Sequence, residues 1–448
     1  MTVLRPGRVL ARRAARHFLA GPRAARAVDV AARLLGLQAQ VVAAAEQAVA
    51  VRGPAATDVR DGLAHGSLVR TWSARGTLHV LDTRQAPDVL ALLAAARTWE
   101  KGAWQREFAT AAEIARLAEL VGGALAGEVL TRDELVARLA PHVSGELATR
   151  LSSGWGTVLK PLAWQGLLVN GAPRGGRPTF TTPPWDALPD PDDAARRVIP
   201  AYLDVYGPAS PATFDAWLLR GGTRRATLRR WFADLVDAGT VTPVAVGSAE
   251  GEPRYARTAD LDDLTDGPVP PDHLRFLPAF DPWVLGPGTR DTEVLAAEHR
   301  GRVSRTAGWI SPVVVRAGRV IGTWSGVDVH DVELFHDTDL PEAEVAAERE
   351  RWARVLGTPP DGRGGSGWTG SGTPGAERVE TDPTPSTEGD AMSGADKAEN
   401  KGEELKGKVK ESAGSAVGNE SLEAEGKADQ TKGSLKQAGE KVKDVFKS

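Results

Sequence analysis

The arginines and lysines of this chain are segregated. Of its 13 lysines, 11 lie in residues 392–448, a stretch without arginine, whereas all 42 arginines and all 13 tryptophans precede it. Between the two parts, residues 358–391 run from Thr358-Pro359-Pro360 to Gly389-Asp390 and are dense in Gly, Pro, Ser, Thr and acids. Such a stretch holds too little apolar surface to offset the entropy of ordering, and reads as a flexible linker. Only the preceding ~355 residues, rich in Ala, Leu, Val and Trp, can build a sizeable core. Two once separate reading frames joined into one would give this pattern, as would a gene-calling artefact.

Other features narrow the chemistry. The chain has no cysteine, which excludes disulfides and thiolate metal sites. Arg5, Arg8, Arg12, Arg13 and Arg16 are followed by no long apolar stretch. Neither a secretory leader nor a membrane span is therefore expected, and the cytoplasm is the expected compartment. Net charge is −4, yet residues 1–100 carry 14 Arg, no Lys and 7 acids. A basic region inside a mildly acidic chain is an electrostatic footprint for a polyanion. No phosphate-binding loop or dinucleotide fingerprint is present, and no cofactor is expected. His330, Asp331, Glu333 and His336 lack a metal-motif spacing and read as a solvated loop, so no metal is expected.

The expected architecture is α+β, built on a recurring order of helices followed by a β-hairpin. Helices are predicted over 7–20, 27–35, 41–49 and 58–64, the last capped by Thr57. Leu68–Trp72 and Thr77–Leu81 then flank a turn at Ser73-Ala74-Arg75-Gly76. The order returns in 112–182, with Leu167–Asn170 and Thr179–Phe180 around Arg174-Gly175-Gly176-Arg177. It returns again in 193–258: a helix to Tyr206, Ser210 before a helix over 211–220, Thr223 capping 224–238, then Val241–Val246 and Arg254–Arg257. Beyond 274, Val313–Val315 pairs with Val320–Trp324, followed by Val332–Phe335 and a helix over 342–356. The expected limits are three winged-helix units at 1–110, 111–190 and 191–265, a mixed segment at 266–357, the linker, and the tail at 392–448.

A winged helix binds nucleic acid, with one helix in a groove and the wing on phosphate. Double-stranded DNA is thus the expected partner of a monomer working at the nucleoid. In the third unit the reading helix carries Arg224, Arg225, Arg229 and Arg230, with Arg225 and Arg229 on one face at i, i+4. A merely solvated basic face is the alternative. Arg75 at the first wing tip, and Arg174 and Arg177 at the second, are candidate phosphate contacts. His79 alternates with Thr77 on the hairpin and either faces DNA or serves the structure. Trp72 is the tryptophan expected nearest to DNA.

Gln38 and Gln40 stand two apart in Leu34-Leu35-Gly36-Leu37-Gln38-Ala39-Gln40. At a spacing of two, their amides share a face only if the segment is extended. Gly36 is placed to end the preceding helix in the left-handed conformation. In isolation such a pair reads as structural hydrogen bonding. Glu46 is either a supporting acid or a helix-surface residue.

Four runs occur in order: Leu37-Gln38-Ala39-Gln40, Arg75-Gly76-Thr77-Leu78-His79, Leu277-Pro278-Ala279-Phe280-Asp281-Pro282-Trp283 and Ile321-Gly322-Thr323-Trp324. On these, residues ~5–355 resemble the AlkZ-like winged-helix DNA glycosylases. The resemblance implies tandem winged helices in a C-shape around duplex DNA, and hydrolysis of the N-glycosidic bond of alkylated bases. Some branches also unhook interstrand crosslinks. It implies a Gln–aliphatic–Gln catalytic signature, met here by Gln38 and Gln40, and more weakly a channel role for Asp281 and Arg290. For such a pair, glutamine has no useful pKa and cannot act as a general acid or base, but its carbonyl can hold a water and point a dipole at a developing oxocarbenium ion. An N7-alkylated purine is already cationic and leaves without protonation, so the pair suits cationic lesions and suits neutral ones, such as uracil, poorly. In the expected division Gln40 positions the water and Gln38 orients and stabilises. A non-catalytic winged-helix regulator, with the glutamine pair as a remnant, is the alternative.

In the tail, Lys406-Gly407-Lys408-Val409-Lys410-Glu411 and Glu425-Gly426-Lys427-Ala428-Asp429-Gln430-Thr431-Lys432-Gly433 resemble the CsbD-like stress proteins. Its 11 lysines balance 11 acids, and its few apolar residues predict frayed helices or disorder.

Overall fold

The computed structural model describes residues 1–356 apart from 154–155, 249–251, 268–272, 306–307, 326–330 and 337–339. The chain divides into two units near residue 356, and the expected linker and tail lie outside the described residues. The first unit mixes helices and sheets, as expected.

A short strand β1 (Thr2–Leu4) leads into helix α1 (Pro6–Arg16), which starts on a proline at its first turn. This helix stops short of the expected residue 20 because Phe18 turns left-handed, with φ 57°. Helix α2 (Ala27–Arg33) ends through two consecutive positive-φ residues, Leu35 at 55° and Gly36 at 103°. The Gly36 N–H closes the end by donating to the Ala31 carbonyl at 2.9 Å. Glycine is required there twice over, since a Cβ would also sit 2.8 Å from Leu81 Cδ2. The chain emerges extended as β2 (Leu37–Gln38), then α3 (Val42–Ala50) and α4 (Asp58–Ala64). Thr57 does not cap α4 with its side chain; its own backbone is already helical, at φ −61° and ψ −27°.

Strands β3 (Leu68–Trp72) and β4 (Leu78–Asp82) form the first hairpin, with β2 on the outer edge of β4. Helices α5 (Ala86–Ala95), α6 (Gly102–Glu107) and α7 (Ala111–Leu125) follow, then β5 (Val129–Thr131) and α8 (Arg132–Leu139). Thr110/Glu113 and Thr131/Glu134 make reciprocal capping boxes at the starts of α7 and α8. After α9 (Gly145–Leu151) and α10 (Lys160–Trp164) comes the second hairpin, β6 (Val169–Arg174) and β7 (Arg177–Thr181). The two hairpins share one sheet of order β2-β4-β3-β6-β7-β5, joined where Arg70 faces Asn170. Trp72 is part of this joint and not of a DNA-facing surface. Its ring stacks on Phe180 with centroids 5.9 Å apart and planes at 17°, and it is 5% exposed.

Helix α11 (Pro191–Tyr206), α12 (Pro211–Leu219) and α13 (Arg225–Asp237) precede the third hairpin, β8 (Val241–Val246) and β9 (Arg254–Arg257). Ser210 caps α12 by accepting from the Thr213 N–H, as expected. Thr223 does not cap α13; it is turned back onto Asp215 of α12, to which its N–H donates at 3.1 Å. The N-terminal strand β1 lies parallel to β8, pairing Thr2 with Val244. Helix α14 (Leu261–Thr265), β10 (Leu274–Leu277), α15 (Pro282–Leu285) and α16 (Arg300–Val303) come next. Strands β11 (Val313–Arg316), β12 (Arg319–Ser325) and β13 (Asp331–Leu334) complete an antiparallel sheet with β10, over which α17 (Glu342–Leu356) runs. Trp352 of α17 donates its indole N–H to the Phe276 carbonyl of β10 at 2.9 Å.

Candidate active site and nucleic-acid interface

The helix end at Leu35-Gly36 delivers Gln38 onto the edge of the first sheet, directly across from His79. His79 in turn faces Thr71 on β3. Residues opposed in register project to the same face, so Gln38, His79 and Thr71 form one row across three strands. The row is interior: Gln38 is 8% exposed, His79 3% and Thr71 0%. Gln38 Oε1, Thr71 Oγ1 and the nearby Ser73 Oγ have no protein hydrogen-bond partner. Buried polar atoms are normally hydrogen-bonded, and these three find no partner within the protein.

His79 is neutral at physiological pH. Burial, and then the charge of Arg75, push its pKa down to about 3, against a smaller opposing contribution from the Thr77 carbonyl. Its Nδ1 lies 3.0 Å from that carbonyl, which can only accept, so the proton sits on Nδ1 and the Nε2 lone pair is left for the interior.

Gln40 does not aim alongside Gln38. The strand ends at Ala39, whose N–H donates to the Leu78 carbonyl at 2.8 Å. The Gln40 amide folds back so that its Oε1 accepts from the Leu78 N–H at 3.3 Å, extending the ladder with a side chain. A backbone donor fixes this carbonyl inward and leaves the amide NH₂ as the group Gln40 can offer. Arg70, on β3 beyond β4, donates to the Ala39 carbonyl at 3.0 Å and holds the residue between the two glutamines. Burial lowers the Arg70 pKa. Its sequence signal was a charge inside the otherwise apolar and hydroxyl-bearing strand Leu68-Val69-Arg70-Thr71-Trp72. Glu46 on α3 is mostly buried and pairs with Arg60, Nε to Oε1 at 2.6 Å.

The expected phosphate contacts divide into three groups. Arg75 is not at an exposed tip. It sits in the left-handed region at φ 57°, is partly buried, and donates to the Trp217 carbonyl of α12 at 3.3 Å. Burial and the charge of Arg220 pull its pKa down to about 10. Arg174 and Arg177 are exposed, but each is engaged by an acid of α8, Glu134 and Asp133 respectively. Arg224 at the N-cap of α13, and Arg225 and Arg229 on the helix, are exposed and carry no ion pair among the described residues. Their neighbour Arg230 is held by Asp192 at 2.6 and 2.7 Å.

Asp281 does not line a channel. It is fully buried, capping α15 through the Trp283 N–H at 2.8 Å and binding Arg52 with both oxygens. Arg52, not flagged by the sequence, also donates to the Ala48 carbonyl of α3 at 2.7 Å. Arg290 is exposed. Of the loop acids and histidines, Glu333 pairs with Arg302, Asp331 lies against Ser325, and His330 is outside the described residues. His336 instead meets His299. No helix among the described residues is long and apolar enough to cross a membrane.

Comparison with known proteins gives a consistent picture. The family described as DNA glycosylase AlkZ-like matches residues 31–355, and the CsbD-like family matches 396–448. An interstrand DNA cross-link repair glycosylase of Streptomyces sahachiroi is 45% identical over 361 residues, covering 78% of this chain and 96% of that protein. The solved structure of the Streptomyces sahachiroi DNA glycosylase AlkZ superposes with a TM-score of 0.73 at 43% identity, over 79% of this chain and 96% of that one. For the tail, a UPF0337 protein of Streptomyces coelicolor is 57% identical over 56 residues, which are 12% of this chain and 98% of that protein. The chain thus spans nearly the full length of two kinds of relative.

Proposed function

The chain belongs to the AlkZ-like family of DNA glycosylases, with a tail belonging to the CsbD-like family, and from that premise we propose that Gln38 and Gln40 form its catalytic centre. The enzyme is a DNA repair glycosylase. Its proposed substrates are bases whose leaving group is already cationic, N7-alkylated purines first. A crosslink made through the same ring nitrogen falls in this class, and the Streptomyces sahachiroi relative is named for crosslink repair.

In this reading Gln38 Oε1 accepts a hydrogen bond from the attacking water and directs its lone pair toward C1′ of the sugar. The same carbonyl dipole opposes the positive charge that grows on the oxocarbenium ion. His79 is kept neutral, so the imidazole adds no positive charge of its own beside that developing on the sugar. Gln40, its carbonyl held by the Leu78 N–H, contributes its NH₂ to orient the DNA. This reverses the division of labour expected from the sequence. The observation that carries it is the buried Gln38 carbonyl with no protein partner beside a neutral imidazole.

The helix-and-hairpin runs within 1–110, 111–190 and 191–265 are read as winged helices, 266–357 as a mixed segment, and together they cup duplex DNA as a monomer at the nucleoid. Arg224, Arg225 and Arg229 are the proposed phosphate contacts, supported by their exposure and lack of acid partners. Arg75 acts within the site, through its charge on His79. The test is a lesion panel. Duplexes bearing N7-methylguanine should release base, and duplexes bearing uracil should not. Release of uracil at a comparable rate would show that leaving-group protonation is available and that a glutamine-only site is wrong.

A further inference from the structure

Glu298, His299 and His336 converge on one point far from the sheet that holds Gln38 in sequence. One ligand atom from each lies within 4.8 Å of the others. Among the described residues no other group of three His, Asp or Glu side chains does so. The two imidazole Nε2 atoms share a hydrogen bond at 3.0 Å, one ring donating and the other accepting, with ring planes at 70°. A cation would take the place of that shared proton, and a small widening would bring the two nitrogens to the roughly 3.3 Å kept by donors at ~2.0–2.1 Å from one tetrahedral ion.

The rings are held from behind. His299 stacks on Phe335 with centroids 4.4 Å apart, and the Phe335 N–H is tied to the Ile321 carbonyl of β12 at 2.9 Å. The Arg302 guanidinium lies 4.8 Å from the same ring and is matched by Glu333, so its charge is neutralised locally. The carboxylate of Glu298 supplies the negative charge a cation needs.

We infer that Glu298, His299 and His336 bind one divalent cation of the zinc type, clipping the turn Ala297–His299 to the end of β13. Two imidazoles and one carboxylate favour a borderline ion such as Zn²⁺, Ni²⁺ or Co²⁺ over Mg²⁺ or Ca²⁺, which take oxygen donors. The site is open at the surface and leaves a fourth position for water. It has no part in the glycosidic chemistry proposed above and stands or falls separately.

The test is a Zn²⁺ titration of the full-length, chelator-stripped chain against a chromogenic competitor, with the melting temperature followed in parallel. One equivalent should bind and raise the melting temperature as its concentration rises. His336→Ala and Glu298→Gln, both at exposed positions, should weaken binding at least about tenfold and abolish the shift. His142→Ala, at an isolated exposed histidine, should change neither. Binding that is unaltered in His336→Ala, or no one-equivalent binding in the wild type, would overturn the site.

Discussion

Arg52 and Asp281 meet in a two-point ion pair, 2.8 and 2.7 Å long, with neither side chain exposed to any extent. The pair joins the end of α3, which follows the two glutamines, to the Phe280-Asp281-Pro282-Trp283 run at the start of α15. Arg52 and Asp281 also bind backbone on their own sides, at the Ala48 carbonyl and the Trp283 N–H. Each partner thus has a backbone group besides the opposite charge, with only Arg52 Nε lacking a partner in the protein, and such added hydrogen bonds let a buried pair persist in a low-dielectric interior.

Removing one partner should therefore be far costlier than removing an exposed pair. Asp281→Ala is expected to destabilise by about 3–5 kcal/mol, because the Arg52 charge stays buried and unmatched. Arg116→Ala, which removes an ion pair to Glu119 that is exposed on both sides, should cost under about 1 kcal/mol. Urea unfolding midpoints of the three proteins check this, and equal midpoints would contradict it.

Stability should fall on mild acidification. His79 and His17 are both buried and hold pKa values well below that of a free histidine, His17 through burial and then the charges of Arg52 and Arg13. In the unfolded chain each takes up a proton below about pH 6.5, while the folded chain does not. The stabilising difference is complete above that value and is lost progressively from pH 6.5 toward the folded pKa, at up to about 1.4 kcal/mol per pH unit for each histidine. Unfolding at pH 7.5 and 5.5 measures it, and the difference should shrink in His79→Gln. An unchanged difference in that variant would show His79 to be protonated in the fold.

Arg225 and Arg229 should set the salt dependence of DNA binding. Each alanine substitution is expected to lower the slope of log affinity against log salt by roughly 1, without changing sequence preference. Arg230→Ala should leave the slope nearly unchanged, since Asp192 already neutralises that guanidinium. Fluorescence anisotropy over a salt series distinguishes them. Equal effects at 229 and 230 would contradict the assignment of the face.

Gly36→Ala should damage the site without touching a glutamine. The residue has φ 103° and its added Cβ would press on Leu81, the neighbour two residues along β4 from His79. A cost of at least about 1 kcal/mol is expected, together with a fall in base release. Full activity at wild-type stability would show that the entry to β2 tolerates rearrangement.

Much of the local structure was legible because it is written locally. The four hairpins at 68–82, 169–181, 241–257 and 313–325 follow from alternation around turn residues, and the extended segment at Gln38 follows from Gly36. What was not legible depends on partners distant in sequence. Arg75 looked like a wing tip because its acceptor, Trp217, is 142 residues away. Trp72 looked exposed because Phe180, which covers it, belongs to another hairpin. Asp281 resembled a channel residue until Arg52, 229 residues earlier, was seen to claim both its oxygens. Three-residue strands such as β1 carry too little pattern to be recognised before β8 is in place beside them. The orphaned carbonyl of Gln38 could not be read at all, since being without a partner is a property of the fold.

The most direct test is single-turnover base release by the full-length chain from a duplex carrying one N7-methylguanine, compared with Gln38→Ala. The wild type should yield an abasic product, and the variant should be slower by about 10²–10³ while holding DNA as tightly, as expected for loss of one preorganised dipole. Undiminished release by Gln38→Ala would remove this residue from the centre. No release by a folded, DNA-binding wild type, on this duplex and on a crosslinked one, would contradict the catalytic account as a whole.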